Sequence, residues 1–367
     1  MRIDFHGRLV DEPTARVGFI GCGSHSFRNL YPCLQFCPVE LVATCDLDIE
    51  RARAFARRFG AERAYADHRE MLAKEKLDGV LICTGYDRAS RPTYPQLAID
   101  CMEAGCHAWI EKPPAHCCAE IERMQQAAEQ TGKHVMVGLK KMFFPANEKA
   151  AELMRSVEFG PVSYVSLQYP QYVPTVDELA AYGRGEGGPA VGFLDHLCHP
   201  VALMVFLLGM PRTLFYERSD AGAGVAVFRF GCGTVAALQL THGASSEGGM
   251  ERTMIVSPGG RHVVVDNNVR VSYHRGPEVP KGQGYGSTPS HFTGPAEKTT
   301  AVWEPEFSLG QLYNKGLFLL GYWGEINEFA RAMLEGRPPA KGTLEQAWQI
   351  TRIFEAFAEG PGRTIEL

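Results

Sequence analysis

The pattern of apolar and polar positions changes near residue 140. From Arg16 to Val137, short β-branched runs alternate with amphipathic stretches, which is typical of βαβ units in a parallel sheet. Predicted helices at 49–59 and 94–104 end where Gly60 and Gly105 can adopt a left-handed C-cap. The predicted strands are 17–20, 40–45, 79–83, 107–110 and 134–137.

After Lys141 the spacing favours a different architecture. One helix at about 146–155 precedes runs with two-residue alternation, which indicate an antiparallel sheet. Two helices and a short strand close the chain. These elements lie at 162–169, 225–230, 234–240, 253–256 and 262–265 for the strands, 317–334 and 344–359 for the helices, and 363–367 for the last strand.

The predicted fold class is therefore α/β with two domains. Residues 1–140 form an N-terminal domain with a parallel sheet, in which 1–14 are an extension. Residues 141–367 form an α+β domain with a large, mainly antiparallel sheet. The chain has 367 residues, more than the roughly 250 to 300 that one hydrophobic core usually holds, which agrees with two domains.

Two other segments have distinct patterns. The apolar run 191–209 is interrupted by Asp195, His196, His199 and Pro200, so it predicts a buried helix rather than a membrane span. Residues 276–309 show no period and are rich in Gly and Pro, which favours a lid, an oligomer contact or an ordinary surface loop.

Composition and charge narrow the class of partner. The formal net charge is -5 and the basic residues are scattered, so neither nucleic acid nor an anionic membrane is expected as a partner. The expected partner is a small molecule. Eleven cysteines lie mostly singly and form no CxxC pair, so reduced thiols and no metal site are predicted. The N-terminal residues lack an apolar run, which predicts a cytoplasmic protein.

A glycine-rich turn follows the first predicted strand. Gly21 and Gly23 are the first two glycines of a GxGxxG fingerprint, and Ser26 replaces the third. The first glycine permits a tight turn, and the second lets the main chain approach a pyrophosphate at a helix N-terminus. This turn predicts a dinucleotide site, so residues 1–140 are predicted to be a Rossmann dinucleotide-binding domain.

The second strand ends at Asp46, 23 residues after Gly23. A carboxylate at about this spacing accepts hydrogen bonds from the adenosine ribose and repels a 2′-phosphate, so NAD is predicted over NADP. Asp48 fits the N-cap of the following helix better than Asp46 does.

The sequence Glu111-Lys112-Pro113 lies at the carboxyl end of a predicted strand, where open parallel sheets bind ligands. A cis bond before Pro113 would aim the lysine. Asp195 and His199 lie four residues apart and would share one helix face, although Pro200 favours a kink there. Oxidation of an alcohol needs a base and a nearby positive charge, which His199 and Lys112 can supply.

The order of these motifs resembles the Gfo/Idh/MocA oxidoreductases along nearly the whole chain. The resemblance implies Lys112, Asp195 and His199 as catalytic residues and a homodimer or homotetramer. It also implies cofactor contacts from the glycine turn, from Asp46 and from the ends of two later strands. The quoted elements are Gly21-Cys22-Gly23, Thr84-Gly85, Glu111-Lys112-Pro113, Gly187-Gly188, Asp195, His199 and Gly321 to Pro339, and the implied cofactor residues are Gly21, Cys22, Gly23, Ser24, His25, Asp46, Thr84, Glu111 and Lys112.

The chain departs from the family pattern at several polar positions, which leaves the substrate open. Gly85 stands for the usual proline, Tyr94 for a histidine and Ala202 for an aspartate. Met142 stands for an arginine, with Lys140 and Lys141 beside it.

The predicted function is NAD-linked oxidation, or the reverse reduction, of a secondary hydroxyl on a sugar, polyol, aminocyclitol or glycoside. Two alternatives remain. One is a glycosidase that retains its NAD, and the other is a non-catalytic dinucleotide sensor or regulator. A metal at Asp195, His196, Cys198 and His199 is disfavoured, because adjacent residues on a helix point to different faces.

Overall fold

The computed structural model describes residues 12–245, 250–276, 300–304 and 315–367. The chain forms two compact units, and each is built from several chain segments. The first contains Met1–Phe143, Val176–Phe206 and Asn314–Ala358, and the second contains Phe144–Thr175, Leu207–Tyr313 and Glu359–Leu367. The predicted boundary at 140/141 assigns 176–206 and 314–358 to the second domain, whereas these segments pack within the first unit.

The first unit has a six-stranded sheet in the order β3-β2-β1-β4-β5-β6, and every pair is parallel. The order reverses between β1 and β4, and ligands bind at the carboxyl edge of such a switch point. The strands are β1 Ala15–Ile20, β2 Val39–Cys45, β3 Arg63–Tyr65, β4 Gly79–Ile82, β5 His107–Ile110 and β6 Val135–Val137. Five of them were predicted, and β3, with three residues, was too short to show a period.

The helices largely follow the predicted positions. Asp48 caps the second helix by accepting from the backbone N–H of Glu50 and Arg51, and Gly60 ends it with φ of 82°. The α-helices are α1 Tyr31–Leu34, α2 Ile49–Phe59, α3 His68–Lys74, α4 Tyr94–Glu103, α5 Cys118–Thr131, α6 Pro145–Met154, α7 Val176–Gly183, α8 Pro189–Leu208, α9 Lys315–Leu319, α10 Tyr322–Glu335 and α11 Leu344–Phe357, with a π-helical turn at Ser26–Leu30 and a 3-10 turn at Lys140–Phe143.

Two helices in the first unit test specific expectations. The apolar run forms α8, which includes Pro200 and is long and apolar enough to span a membrane, but 61% of its most apolar window is buried inside the protein. A core helix was predicted there. The single helix predicted at 317–334 is wrong, because Gly321 takes φ of 74° and separates α9 from α10.

The second unit has a nine-stranded sheet in the order β14-β13-β12-β11-β7-β10-β9-β8-β15. All neighbours are antiparallel except β7 and β10, which run parallel, so the sheet is mainly antiparallel as predicted. Side chains alternate: Val165, Leu167 and Tyr169 of β7 are buried. The strands are β7 Tyr164–Tyr169, β8 Thr213–Arg218, β9 Gly224–Arg229, β10 Val235–Leu240, β11 Arg252–Val256, β12 His262–Asp266, β13 Arg270–His274, β14 Ala301–Trp303 and β15 Thr364–Glu366.

Three of these strands, β8, β13 and β14, were missed. β14 lies within the segment 276–309 that shows no period, and most of that segment is outside the described residues. The predicted fold class, a Rossmann domain followed by a domain with a mainly antiparallel sheet, is confirmed.

Candidate active site

The glycine turn after β1 is fixed by close backbone packing. Gly21 has φ of 104°, and a Cβ there would lie 2.0 Å from the carbonyl oxygen of Cys83. Only glycine fits this position. By contrast, a Cβ on Gly23 would meet no atom within 4 Å. The main chain at Gly23 therefore faces open space, as the approach of a pyrophosphate requires.

Ser26, which stands in place of the third glycine, ties this turn together. Its buried hydroxyl accepts from the N–H of Gly23 at 3.0 Å and lies 3.1 Å and 2.9 Å from the carbonyl oxygens of Gly21 and Gly23. Ser26 therefore does more than replace glycine with another small residue, because its side-chain hydrogen bonds fix the conformation of the turn.

Asp46 closes the other side of the turn. Its carboxylate accepts from the N–H of Cys22 at 2.8 Å and from the N–H of Asp48 at 3.0 Å. Arg51 lies 4.0 Å from the same carboxylate. Each carboxylate oxygen keeps a further lone pair for a ribose hydroxyl.

These groups line a cleft of about 770 Å³ in the first unit. Seven of the nine predicted cofactor residues lie on its wall, and the open face of Gly23 lies there too, so the chain fits a dinucleotide. The seven are Gly21, Cys22, Gly23, Ser24, His25, Asp46 and Thr84.

The other two predicted cofactor residues, Glu111 and Lys112, follow β5. The buried carboxylate of Glu111 contacts His25 Nε2 at 2.9 Å and accepts from the N–H of Lys112 at 2.7 Å. Asn29 donates to His25 Nδ1 at 3.2 Å, which leaves the His25 proton on Nε2, facing Glu111. Glu111 thus joins the glycine turn to the end of β5.

Lys112 is held by Asp195 from α8. Its Nζ donates to the carboxylate at 2.8 Å and lies 3.3 Å from the carbonyl oxygen of the same residue. Burial lowers the pKa of Lys112, but the charges of Glu111 and Asp195 outweigh burial and raise it overall. The lysine therefore remains an ammonium. The Lys112-Pro113 bond is cis, as the sequence suggested.

Tyr86 is a site residue that the sequence reasoning missed. Its hydroxyl donates to Asp195 Oδ1 at 3.1 Å, and Lys112 binds the same oxygen. Burial and the carboxylate raise the pKa of Tyr86, so the phenol stays protonated. The available signal was its position four residues after β4, at the same sheet edge as Lys112.

The predicted pairing of Asp195 with His199 differs from the structure. The carboxylate contacts Lys112 and Tyr86, and its neighbouring imidazole is His196, whose Nε2 is 3.8 Å away. In a helix, the side chains of residues i and i+4 share a face, but the carboxylate binds a cationic partner, Lys112, from the segment after β5. His199 lies 6.5 Å from His196 between ring centres.

His199 is half-buried and surrounded by positive charge. Loss of hydration lowers its pKa well below the ordinary 6.5, and the charges of Lys112, Lys140 and Lys141 lower it further. The imidazole is therefore neutral at neutral pH and can accept a proton.

The residues at which the chain departs from the family pattern have different structural roles. Tyr94 is buried and donates to the carbonyl oxygen of Thr84 at 2.9 Å, so it braces the end of β4. Met142 and Ala202 are core residues. Lys140 donates to the hydroxyl of Tyr322 at 2.8 Å.

Glu325 on α10 is an anomaly beside this network. It is fully buried, and among the described residues neither carboxylate oxygen has a hydrogen-bond partner. Burial raises its pKa well above the ordinary value, with a further rise from Glu111. Both effects favour the protonated, neutral form of the carboxyl group.

Comparison with known proteins finds a family match for about the first third of the chain. Residues 15–139 match the Gfo/Idh/MocA oxidoreductase family, described as an NAD-binding Rossmann fold. The chain is 35% identical to D-apiose dehydrogenase of Paraburkholderia graminis over 141 residues, which are 38% of this chain and 36% of that protein. It therefore spans about a third of that relative's length.

Two longer matches extend along most of the chain. Myo-inositol 2-dehydrogenase of Thermotoga maritima is 22% identical over 343 residues, 89% of this chain and 90% of that protein. The crystal structure of a dehydrogenase from Chromobacterium violaceum superposes with a TM-score of 0.76 at 22% identity, covering 95% of this chain and 96% of that one. Residues 15–139 therefore match the NAD-binding domain of the Gfo/Idh/MocA oxidoreductases, and the chain as a whole shares the fold of the Chromobacterium violaceum structure.

Proposed function

We propose that this protein is an NAD-dependent oxidoreductase that oxidises, or reversibly reduces, a secondary hydroxyl of a sugar, polyol, aminocyclitol or glycoside. The observation that carries the proposal is the ammonium of Lys112, held 2.8 Å from Asp195 and close enough to His199 to lower its pKa. A neutral base beside a fixed cation is the pair that oxidation of an alcohol requires.

The glycine turn and Asp46 would hold the cofactor. Gly23 would face the pyrophosphate and Asp46 the adenosine ribose, and the carboxylate favours NAD over NADP. When bound, NAD supplies the nicotinamide carbon that accepts the hydride.

His199 is the proposed base. Because its imidazole is neutral, it takes the hydroxyl proton at neutral pH without first losing one. In the reverse direction the resulting imidazolium returns the proton.

Lys112 is proposed to stabilise the negative charge that develops on the substrate oxygen. A lysine free to rotate would lose much of this effect, because preorganised charge stabilises a transition state better than mobile charge. Asp195 supplies the fixed position, and Tyr86 holds the carboxylate from a second side.

The first experiment is calorimetric titration with NAD and with NADP, followed by a screen of sugars, cyclitols and aminoglycosides for NADH formation. Binding of NAD together with NADH formation supports the proposal. Cofactor that copurifies, with glycoside cleavage and no net NADH, would favour the NAD-retaining glycosidase.

Binding without any turnover would favour a sensor or regulator, and failure to bind either nucleotide would overturn the whole assignment. A homodimer or homotetramer is part of the proposal, and sedimentation of the purified protein tests it.

A further inference from the structure

Three side chains that can ligate a metal lie close together a few residues after Lys112. His116, Cys117 and Glu120 each offer one ligand atom, and these three atoms lie within 4.8 Å of one another. The cluster follows the Lys112-Pro113 bond by a few residues and belongs to the first unit. None of the contacts described above for catalysis or cofactor binding uses it.

The geometry around His116 converges on one oxygen. The imidazole Nδ1 lies 2.7 Å from Glu120 Oε2, and the N–H of His116 donates to the same oxygen at 3.3 Å. The ring nitrogen and the carboxylate, four residues apart, therefore form a direct hydrogen bond, and because two ligands of one Zn²⁺ lie farther apart, a bound ion would separate them.

Cys117 stands at the N-cap of α5, a position that favours Ser, Thr, Asp or Asn. A side chain there normally accepts from a backbone N–H, but the thiol makes no capping hydrogen bond. The sulfur atom is therefore not used as a helix cap and remains available as a ligand atom.

Burial and charge around the cluster suit a bound ion. All three residues are partly exposed, so an ion can enter and water can complete its coordination. Glu120 feels the positive charge of Arg91, but Asp87 accepts from the N–H of Arg91 at 2.9 Å and places a negative charge in the same turn.

We propose that His116, Cys117 and Glu120 bind one borderline-soft divalent cation, Zn²⁺ being the best match, with water as the fourth ligand. Sulfur, imidazole nitrogen and carboxylate oxygen together suit Zn²⁺, whereas Mg²⁺ and Ca²⁺ prefer oxygen alone. The ion would replace the proton shared by His116 and Glu120 and fix the start of α5.

The test is metal uptake by the full chain. Protein stripped with a chelator is titrated with Co²⁺ and Zn²⁺, and metal content, absorbance and unfolding temperature are measured. We expect about one ion per chain, a thiolate-to-cobalt charge-transfer band, and a rise in unfolding temperature with Zn²⁺ of at least about 2 °C.

The decisive variant is Cys117→Ser, because serine is a good N-cap and should fold at least as well. It should lose the charge-transfer band and weaken Zn²⁺ binding at least about tenfold. His116→Asn should weaken binding similarly. The control is Cys232→Ser, which removes an exposed thiol of the second unit and should leave the band unchanged.

Absence of uptake by the wild-type chain at millimolar metal would overturn the proposal, as would an unchanged band in Cys117→Ser. Neither readout depends on dehydrogenase activity, so this inference and the proposed function can fail separately.

Discussion

The two ends of the candidate site in the first unit are built differently. At the glycine turn, contacts come from the backbone and from a carboxylate a short distance along the chain, as in the bond between Asp46 and the N–H of Cys22. At the lysine end, Lys112, Tyr86 and Asp195 come from three distant segments and meet through side chains. The first end follows from local spacing, whereas the second exists only once the chain has folded.

Because the two ends are built differently, we expect substitutions at each end to impair a different property of the enzyme. A change at the lysine end should remove chemistry and spare cofactor binding. A change at the glycine end should weaken binding and spare the chemistry of whatever enzyme still holds its cofactor. The variants below test that separation, in order of falling effect.

Lys112→Ala should lower turnover by at least about 100-fold, the usual scale for a positioned catalytic group. Calorimetry should show nearly unchanged NAD affinity. Wild-type turnover, or a parallel loss of NAD affinity, would erase the distinction between the two ends.

His199→Ala should also cost at least about 100-fold in turnover. In the wild type, kcat/KM should fall on the acidic side only below pH 6.5, because the lowered pKa keeps the imidazole in its base form to more acidic pH. His196→Asn is the matched control and should keep both the rate and the profile. If His196→Asn loses the activity instead, the base has been misassigned.

Gly21→Ala should act at the other end. The new Cβ would overlap the carbonyl oxygen of Cys83, and relief of that overlap must distort the turn. We expect NAD affinity to fall at least about thirtyfold, or roughly 2 kcal/mol, by calorimetry. Gly23→Ala, with open space around its Cβ, should fold normally, so its unfolding temperature is the control.

Asp46→Ala should weaken NAD binding about tenfold, the scale of a lost hydrogen bond to a charged group. It should also improve the relative use of NADP, since Arg51 would then face a 2′-phosphate without a competing carboxylate. The ratio of the two cofactor affinities measures this. Adding Arg51→Ala should cancel the gain for NADP, and a gain that persists would locate the specificity elsewhere.

Tyr86→Phe should have the smallest effect, a fall in turnover of about three- to tenfold, because one hydrogen bond to a charged partner is lost while Lys112 still holds Asp195. NAD affinity should not change. An effect as large as that of Lys112→Ala would mean that Tyr86 acts on the substrate directly.

Much of the fold and of the candidate site could be predicted from the sequence, because those parts are determined by residues close together along the chain. The strands of the first sheet and the cap at Asp48 follow from local periodicity and spacing. Tyr86 and the break at Gly321 do not, because the first depends on a partner more than a hundred residues away and the second on a single backbone angle.

The partner of Asp195 shows the same limit. The four-residue spacing correctly placed Asp195 and His199 on one helix. The Asp195 carboxylate nevertheless binds Lys112, which comes from a distant segment of the chain. Spacing within a helix cannot reveal competition from outside it. The buried carboxyl group of Glu325 was equally invisible, since its sequence pattern is that of an ordinary amphipathic helix.

The first unit is built from three chain segments, and this affects how it folds during synthesis on the ribosome. Its six strands are all synthesised by residue 137, but Asp195 emerges later, and α10 and α11 emerge after that. Until then the sheet lacks part of its apolar cover, including Phe329, which lies against β4. In the nascent first unit, Lys112 therefore acquires its partner only with α8, and the sheet is covered only after α10 and α11, so chains that stop before residue 357 should be substrates for chaperones and proteases.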